Sequence, residues 1–494
     1  MQRVLIANRG EIALRIVRAC HDEGLEAVAV YSDADRASPH VRAADFAVPI
    51  GAAPPSESYL NIPRLLAAAR ESGAQLVHPG YGFLSERAAF AEAVTKAGLV
   101  FVGPPATAIR AMGDKIEARR RMQAVGVPVI PGATFVPVDP AELAAVIGYP
   151  ILVKATAGGG GKGMRIVRAA AELAGALASA ASEAGKAFGD GTVYLEKLIE
   201  RPRHVEIQVL ADDHRTLHLG ERECSVQRRY QKLVEESPSV AVSPDVRRRM
   251  GEAAVAAAAS VGYRGAGTVE FLLAADGSFY FLQMNTRIQV EHPVTELVYG
   301  VDLVREQLRI ARGLPMRVPE GPLAPRGWAL ECRLTCEDPA NEFLPATGPL
   351  EYLRVPSGPG VRWDGGAEAG NEITRFYDSL LGKLIVWAPD RADAITRMRR
   401  ALADLVVVGV PTTQGFHLRL LADAEFQRGE IDTQFLERRS DLLAPAPDPD
   451  LLAALAVAVA QAEEEAREAR APIRNGEAGG GGFWARAGRE EGLR

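Results

Sequence analysis

Between residues 3 and 102 the chain alternates short apolar runs with amphipathic stretches, and this alternation limits the possible folds more than any other feature. "RVLIANRG" reads as a buried strand, "EIALRIVRACHDEGL" as an amphipathic helix and "EAVAVYS" as a second strand. The unit recurs as "YLNIPRLLAAARESG", "AQLVHPG", "ERAAFAEAVTKAG" and "LVFVGP". Repeated βαβ units imply a parallel sheet with helices on its faces. "ANRGEIALR" holds one glycine where a dinucleotide fingerprint needs three, which argues against a nicotinamide cofactor. "HPGYGFLSE" follows a strand, where open α/β sheets place their ligands, and reads equally as a Gly/Pro turn.

With 494 residues, 47% of them hydrophobic, the chain can bury a large core divided into three or four lobes. No apolar run reaches the ~20 residues that span a bilayer, and the start shows no secretory leader, so a cytoplasmic location without membrane contact is expected. Cys20, Cys224, Cys332 and Cys336 lack metal-ligand spacing and read as free thiols. A net charge of −6 without a basic tract gives no support to a nucleic-acid partner.

After residue 113 the pattern changes. "YPILVKATAGGGGKGMRIVR" places a glycine run between two short strands, so the glycines form a hairpin tip and not the strand-to-helix cradle of a Walker loop. Such a tip reads as a mobile phosphate lid, in which glycines bring backbone N–H groups close to phosphate oxygens and Lys154 and Lys162 add positive charge, or else as a flexible linker, which seldom sits between two strands this short. "VYLEKL" carries Glu196 and Lys197 into a connection followed by His204, an arrangement suited to an adenine edge and a ribose but equally open to a structural histidine. "GERECSVQRRYQKLVEESP" is dense in cations; it reads either as a solvated face or as a site for an anionic substrate.

"GTVEFLLAADGSFYFLQMN" is a hairpin with its turn at Asp276-Gly277. A two-residue loop there sets Glu270 opposite Gln283, with Asn285 further along the same face. Clustered hard oxygen ligands suit Mg2+. The stretch that follows, "TRIQVEHP", adds Arg287, Gln289, Glu291 and His292 to the same region.

Taken together, "IANRGEIALRI", "HPGYGFLSE", "MGDK", "VKATAGGGGKGMR", "PRHVEIQVLAD", "CSVQRRYQK", "GYRGAGTVEF", "MNTRIQVEHPVTE", "ALECRL" and "YDSLLGKLIVW" resemble the biotin carboxylases, ATP-grasp ligases, in family order. The resemblance implies an α/β fold: a Rossmann-like N-terminal domain (1–113), an ATP-grasp domain (114–330) with a small mobile lid (about 126–198), and a larger C-terminal α+β domain (331–440) before a helical, glycine-rich tail (441–494).

It further implies that ATP with Mg2+ or Mn2+ activates bicarbonate as carboxyphosphate, which then carboxylates biotin. Lys115, Lys154, Gly159, Gly160, Gly161, Gly163, Met164, Glu196, Lys197, Leu198, His204 and Gln227 would bind ATP. Glu270, Gln283 and Asn285 would hold the metal. Lys232, Arg287, Gln289, Val290 and Glu291 would bind bicarbonate, with Glu291 as general base and Lys232, Arg287 and Arg333 also in the catalytic set. Tyr81, Gly82, Tyr230, Gln289 and Arg333 would meet biotin, Arg333 stabilising its enolate.

The chemistry needs such residues, because bicarbonate and ATP are both anions and the planar fork of an arginine matches a trigonal carbonate. The chain departs from the family twice: the family carries Glu at position 283 and usually His at position 230, where this chain has Gln283 and Tyr230. A carboxamide can still ligate Mg2+ but brings no charge, which opens the alternative of a nucleotide-binding subunit with weakened catalysis. A carbamoyl-phosphate-forming ligase shares bicarbonate activation, but "ECRL" argues against it. No Met-Lys dipeptide occurs, so biotin is expected on a carrier domain of another polypeptide; a separate carboxyltransferase and a homodimer are expected with it. "FLPATG" and the tail resemble α-subunits of acyl-CoA carboxylases of the methylcrotonyl or propionyl type.

Overall fold

The computed structural model describes residues 1–134, 139–155, 164–188, 191–321 and 323–443, together with positions 458 and 461. Residues 1–444 form one compact unit, and 445–494 form a second. The tail expected from 441 onward therefore lies almost wholly outside the described residues.

Five parallel strands open the chain: β1 (Arg3–Ile6), β2 (Glu26–Ser32), β3 (Phe46–Gly51), β4 (Leu76–His78) and β5 (Val100–Phe101), in the order β3-β2-β1-β4-β5. This is the doubly wound arrangement expected from the alternation. The helix Gly10–Asp22 buries Ile12, Ile16, Val17 and Cys20 at helical spacing against β1 and β2. Its buried Glu11 and Arg15 do not pack as hydrophobes; they serve polar contacts described below.

A four-stranded antiparallel sheet follows, ordered β6-β9-β7-β8, from β6 (Gly132–Thr134), β7 (Ile151–Ala155), β8 (Arg165–Val167) and β9 (Val193–Lys197). The helix Leu173–Phe188 packs on it through Leu173, Ala180 and its neighbours. β7 and β8 are the paired arms of the expected hairpin, and its glycine tip, with Gly159, Gly160, Gly161, Lys162 and Gly163, lies outside the described residues.

The largest sheet has eight antiparallel strands. They are β10 (Arg203–Ala211), β11 (Thr216–Arg228), β12 (Gln231–Ser237), β13 (Gly265–Leu273), β14 (Phe279–Asn285), β15 (Trp328–Thr335), β16 (Val361–Gly365) and β17 (Leu380–Ala388), ordered β14-β13-β10-β11-β12-β15-β17-β16. Because β12 pairs with β15, one continuous sheet crosses residue 330. Helices Pro244–Ala259 and Arg391–Asp404 cover opposite ends of it through separate cores, one with Met250, Val269 and Phe271, the other with Leu384, Met398 and Leu402.

The β13–β14 hairpin corrects one expectation in its mechanism. Leu273 pairs with Phe279, the Gly277 N–H donates to Ala274 O at 3.1 Å, and Gly277 has φ +79°, so the loop has three residues, 275–277, with the glycine in the left-handed region. A β-bulge at Leu282 then absorbs the extra residue, and Glu270 pairs with Gln283 after all. All four cysteines are buried and unbridged. Among the described residues no helix is long and apolar enough to cross a membrane.

Candidate active site

Lys232 is the second residue of β12, and its side chain reaches three carboxylates, two on the large sheet and one at the start of the helix His292–Tyr299. Its Nζ lies 2.6 Å from Glu206 Oε2, 2.7 Å from Glu291 Oε1 and 3.2 Å from Glu270 Oε1. Glu206 and Glu270 are directly opposed on β10 and β13, an unfavourable like-charge pair that needs a cation beside it. Arg222, fully buried on β11, gives that pair a second cation: its Nε donates to Glu206 Oε1 at 2.6 Å, and its Nη atoms bind Gln208, Thr295 and Thr268. Glu291 sits at the N-cap position of the helix His292–Tyr299 and is closed to solvent; its second oxygen receives Arg333 Nη2 at 2.9 Å. Arg333 in turn donates through Nε to Glu235 Oε1 at 2.6 Å.

The electrostatics follow from these contacts. Burial alone would raise the Glu291 pKa, but Lys232, Arg333 and Arg222 outweigh it and hold the carboxyl well below the usual range. Burial opposes ionisation of Glu270 as well, and Lys232, His204 and the Gln283 amide reverse it. Burial would also lower Lys232, yet its three carboxylates push it well above an ordinary lysine. Glu291 is therefore an ionised, cation-clamped carboxylate.

On the side expected to hold metal, Glu270 accepts from Gln283 Nε2 at 2.9 Å, from Asn285 Nδ2 at 2.5 Å and from Gln289 Nε2 at 3.3 Å, with His204 Nε2 3.3 Å away. The donor set fits a hard divalent cation: one carboxylate with two carboxamide oxygens suffices for Mg2+ when phosphates complete its shell. Here both carboxamides present their NH2 groups to Glu270, so ligation requires a half-turn of each. His204, expected at a ribose, lies against this cluster and shares with Glu206 and Glu270 ligand atoms within 4.8 Å of one another.

Of the residues expected at the nucleotide, Lys154, Met164, Glu196, Lys197 and Leu198 lie along the small sheet, His204 and Gln227 lie on β10 and β11, and Lys115 lies on the helix Lys115–Ala124, which Asp114 caps by accepting from the N–H groups of Ile116 and Glu117. Lys115 is exposed at its first position. Lys154 Nζ is 2.6 Å from Glu196 Oε2. Lys197 donates two hydrogen bonds from its ammonium to the carbonyls of Gly148 and Tyr149, and the Leu198 N–H donates to Pro150 O. Met164 is partly exposed where β8 begins, and Gln227 pairs with Lys232 across the β11–β12 ladder.

On the bicarbonate side Arg287 is held by Glu86 (Nε to Oε2, 2.9 Å) and by Gln289 (Nη1 to Oε1, 2.9 Å). Val290 O accepts from Lys383 Nζ at 2.7 Å, and Lys383 lies 3.1 Å from Glu11 Oε1. The Tyr81 hydroxyl donates to the same Glu11 oxygen, which links the "HPGYGF" turn to this group; Gly82 follows with φ +67°. Tyr230 stands apart: it is 69% exposed at the tip between β11 and β12, where Arg229 and Tyr230 both have positive φ.

Glu206, Arg222, Glu235, Lys383, Glu86 and Arg119 were not among the residues expected from the sequence. Arg119 binds Glu196 at 3.3 Å and Gly132 O at 3.0 Å. Two of them, Glu206 and Lys383, carry a visible signal, a single charged residue inside an apolar strand, in "HVEIQVL" and "LLGKLIVW", whereas Arg222 and Glu235 stand among other charged residues. Glu86 and Arg119 sit in polar surroundings that offer none.

Comparison with known proteins agrees with this geometry. Residues 1–109 match the family model "Biotin carboxylase, N-terminal domain", 331–438 match "Biotin carboxylase C-terminal domain" and 114–318 match "Carbamoyl-phosphate synthase L chain, ATP binding domain". The biotin carboxylase of Nostoc is 53% identical over 439 residues, which cover 88% of this chain and 98% of that protein. A pyruvate carboxylase subunit of Methanothermobacter thermautotrophicus is 51% identical, covering 88% of this chain and 89% of its own length. Among solved structures, the biotin carboxylase domain dimer of Hydrogenobacter thermophilus 2-oxoglutarate carboxylase, bound to MgADP, ADP and bicarbonate, superposes with a TM-score of 0.83 at 45% identity over 90% of this chain and 99% of that one. A bicarbonate complex of the thermophilic 2-oxoglutarate carboxylase domain reaches 0.86 at 43% identity, covering 90% of this chain and 99% of that one. The fold is thus the α/β ATP-grasp fold of these enzymes, with a Rossmann-like N-terminal sheet, and the chain belongs to the biotin carboxylase family.

Proposed function

We propose that the protein carboxylates biotin with bicarbonate at the expense of ATP, through carboxyphosphate, as the first half-reaction of a biotin-dependent carboxylase. The observation that carries this reading is the single lysine, Lys232, that touches both Glu291 and Glu270, placing a proton acceptor beside a candidate cation ligand. In this reading Arg287, Gln289 and the Val290 backbone orient bicarbonate, and Glu291 takes its hydroxyl proton as a bicarbonate oxygen attacks the γ-phosphorus and ADP leaves. The cations that make Glu291 a weak base also lower the proton affinity of the bound bicarbonate, so the transfer stays matched. Lys115 and Lys154 hold the phosphates, Lys154 exchanging its present partner Glu196 for the nucleotide. Glu270, Gln283 and Asn285 would hold Mg2+ or Mn2+, which screens the phosphoryl charge when bound. Carboxyphosphate then splits into CO2 and phosphate, phosphate takes the N1 proton of biotin, and Arg333 stabilises the enolate, beside Tyr81 and Gly82, as N1 attacks the CO2.

The partners in this reading are a biotin carrier domain on another polypeptide, a carboxyltransferase and a second copy of the chain. The acyl-CoA expected from "FLPATG" and the tail belongs to the second half-reaction, for which relatives of comparable identity are named after pyruvate and 2-oxoglutarate. A second reading, nucleotide binding with weakened catalysis, rests on Gln283, whose amide group donates to Glu270 where the family carries a second carboxylate. ADP release measured with bicarbonate and free biotin tests both. Release that needs bicarbonate and rises with biotin supports carboxylation; nucleotide binding without such release supports the second reading.

A further inference from the structure

One buried carboxyl group beside the candidate site has no partner. Glu331, on β15, pairs directly with Glu235 on β12 and with Ile385 on β17. Both glutamates are closed to solvent. Neither oxygen of Glu331 has a hydrogen-bond partner among the described residues, and Glu235 gives Oε1 to Arg333 while Oε2 is buried without one. Directly opposed side chains on paired strands have Cβ atoms about 4.5–5.5 Å apart, close enough for two carboxyl groups to share a hydrogen bond. The groups around Glu331 are already engaged. Lys383 is bound to Val290 O and Glu11, Arg333 to Glu235 and Glu291, Glu291 to Lys232, and Tyr81 to Glu11. A solitary ionised carboxylate buried with no cation in contact would cost several kcal/mol, and one proton between the two glutamates joins an orphaned oxygen of Glu331 to the orphaned Oε2 of Glu235.

We propose that Glu331 is a positioning residue, a neutral acid that donates its proton to Glu235 and thereby fixes the carboxylate that aims Arg333. The proposal rests on the reading of Arg333 as the group facing biotin. Burial pushes both carboxyls upward, Glu331 the further, which agrees with a proton held on the Glu331 side of the contact. Arg333 then faces two carboxylates, Glu235 and Glu291. A third negative charge would oppose the anions the site has to receive.

The infrared carbonyl stretch of a protonated carboxyl group, recorded on the free protein near pH 8, tests the proton directly. The band should be present in the wild type and absent in Glu331→Gln; its absence from the wild type, or its survival in the variant, overturns the proposal. This readout needs no substrate, so it stands even if bicarbonate-dependent ADP release fails in every form, a result that would sink only the reading of the reaction. Where release is measurable, Glu331→Ala should lower kcat about tenfold or more with the KM for ATP little changed. Glu331→Gln, which keeps a neutral donor toward Glu235, should rescue most of that loss and remove the alkaline decline caused by ionisation of the pair. A glutamine variant as slow as the alanine variant would show that an ionised carboxylate is required. If the alanine variant does not fold, the glutamine pH profile and the infrared band decide the question.

Discussion

Gln283 donates its amide to Glu270 across β13 and β14, Nε2 to Oε2 at 2.9 Å, so the charge of one carboxylate is answered by a neutral side chain. Replacing Gln283 by Glu puts two carboxylates on this pair. In metal-free protein the added repulsion, about 1–4 kcal/mol for unit charges ~4 Å apart at effective dielectrics between 80 and 20, should lower Tm. With Mn2+ and ADP the same variant should bind the metal more tightly than the wild type, by about tenfold, and release ADP faster. Mn2+ titration followed by electron paramagnetic resonance reads the affinity. An unchanged affinity would mean that position 283 does not face the cation.

The same pair shows how far the sequence was readable. The Asp276-Gly277 signal located the hairpin and the pairing of Glu270 with Gln283, yet a two-residue loop was the wrong route to it. A three-residue loop and a bulge at Leu282 cancel, and neither leaves a local signal, because a bulge is decided by packing on both faces of the sheet. The parallel order of the first sheet followed directly from helices placed between apolar strands. Partners in the site were harder to read. Lys232 was recognisable, but Glu206 and Arg222, which balance it, come from strands that meet only through the register of the sheet, as does Glu235, whose pairing with Arg333 depends on β12 meeting β15.

Among the described residues Glu291 accepts only from cationic side chains, Lys232 at 2.7 Å and Arg333 at 2.9 Å, and its replacement by Gln keeps the shape while removing the proton acceptor. Bicarbonate-dependent ADP release should fall by about 10²–10⁴, the usual span for a lost general base. The Kd for ATP should stay within about threefold, since none of the expected nucleotide contacts passes through this side chain. Undiminished release would remove Glu291 from the chemistry.

Arg222 is the largest fully buried side chain of the fold and stands between Glu206, Gln208, Thr268 and Thr295. Arg222→Met should destabilise the protein by about 3–5 kcal/mol, because among the described residues Glu206 is left with Lys232 alone as a cation and the partner oxygens lose their donor. Adding Glu206→Gln should recover part of that loss in a double-mutant cycle of urea unfolding. Strictly additive effects would show that the two side chains do not act on each other.

Glu296 joins three parts of the compact unit: its oxygens receive Arg15 Nη2 at 2.9 Å from the first helix and Arg362 Nη1 at 2.7 Å from β16, while the residue itself sits on the helix His292–Tyr299. Burial would raise its pKa, but Arg15, His292 and Arg362 bring it down to about 2 from an ordinary 4.5. Since the folded value lies below the unfolded one, the stabilisation is complete above pH ~4.5 and is lost as the pH falls toward 2, where the unfolded chain binds the proton first. Its size is on the order of 3 kcal/mol at neutral pH. His292, buried and held down to about 3, adds a loss of stability that begins nearer pH 6.5, because it gains its proton only on unfolding. Urea unfolding at pH 7, 5 and 3.5 separates the two. Glu296→Gln should be less stable than the wild type at pH 7, with a difference that narrows only below pH ~4.5, and a difference independent of pH down to 3.5 would show that this carboxylate is not held in its charged form by the two arginines.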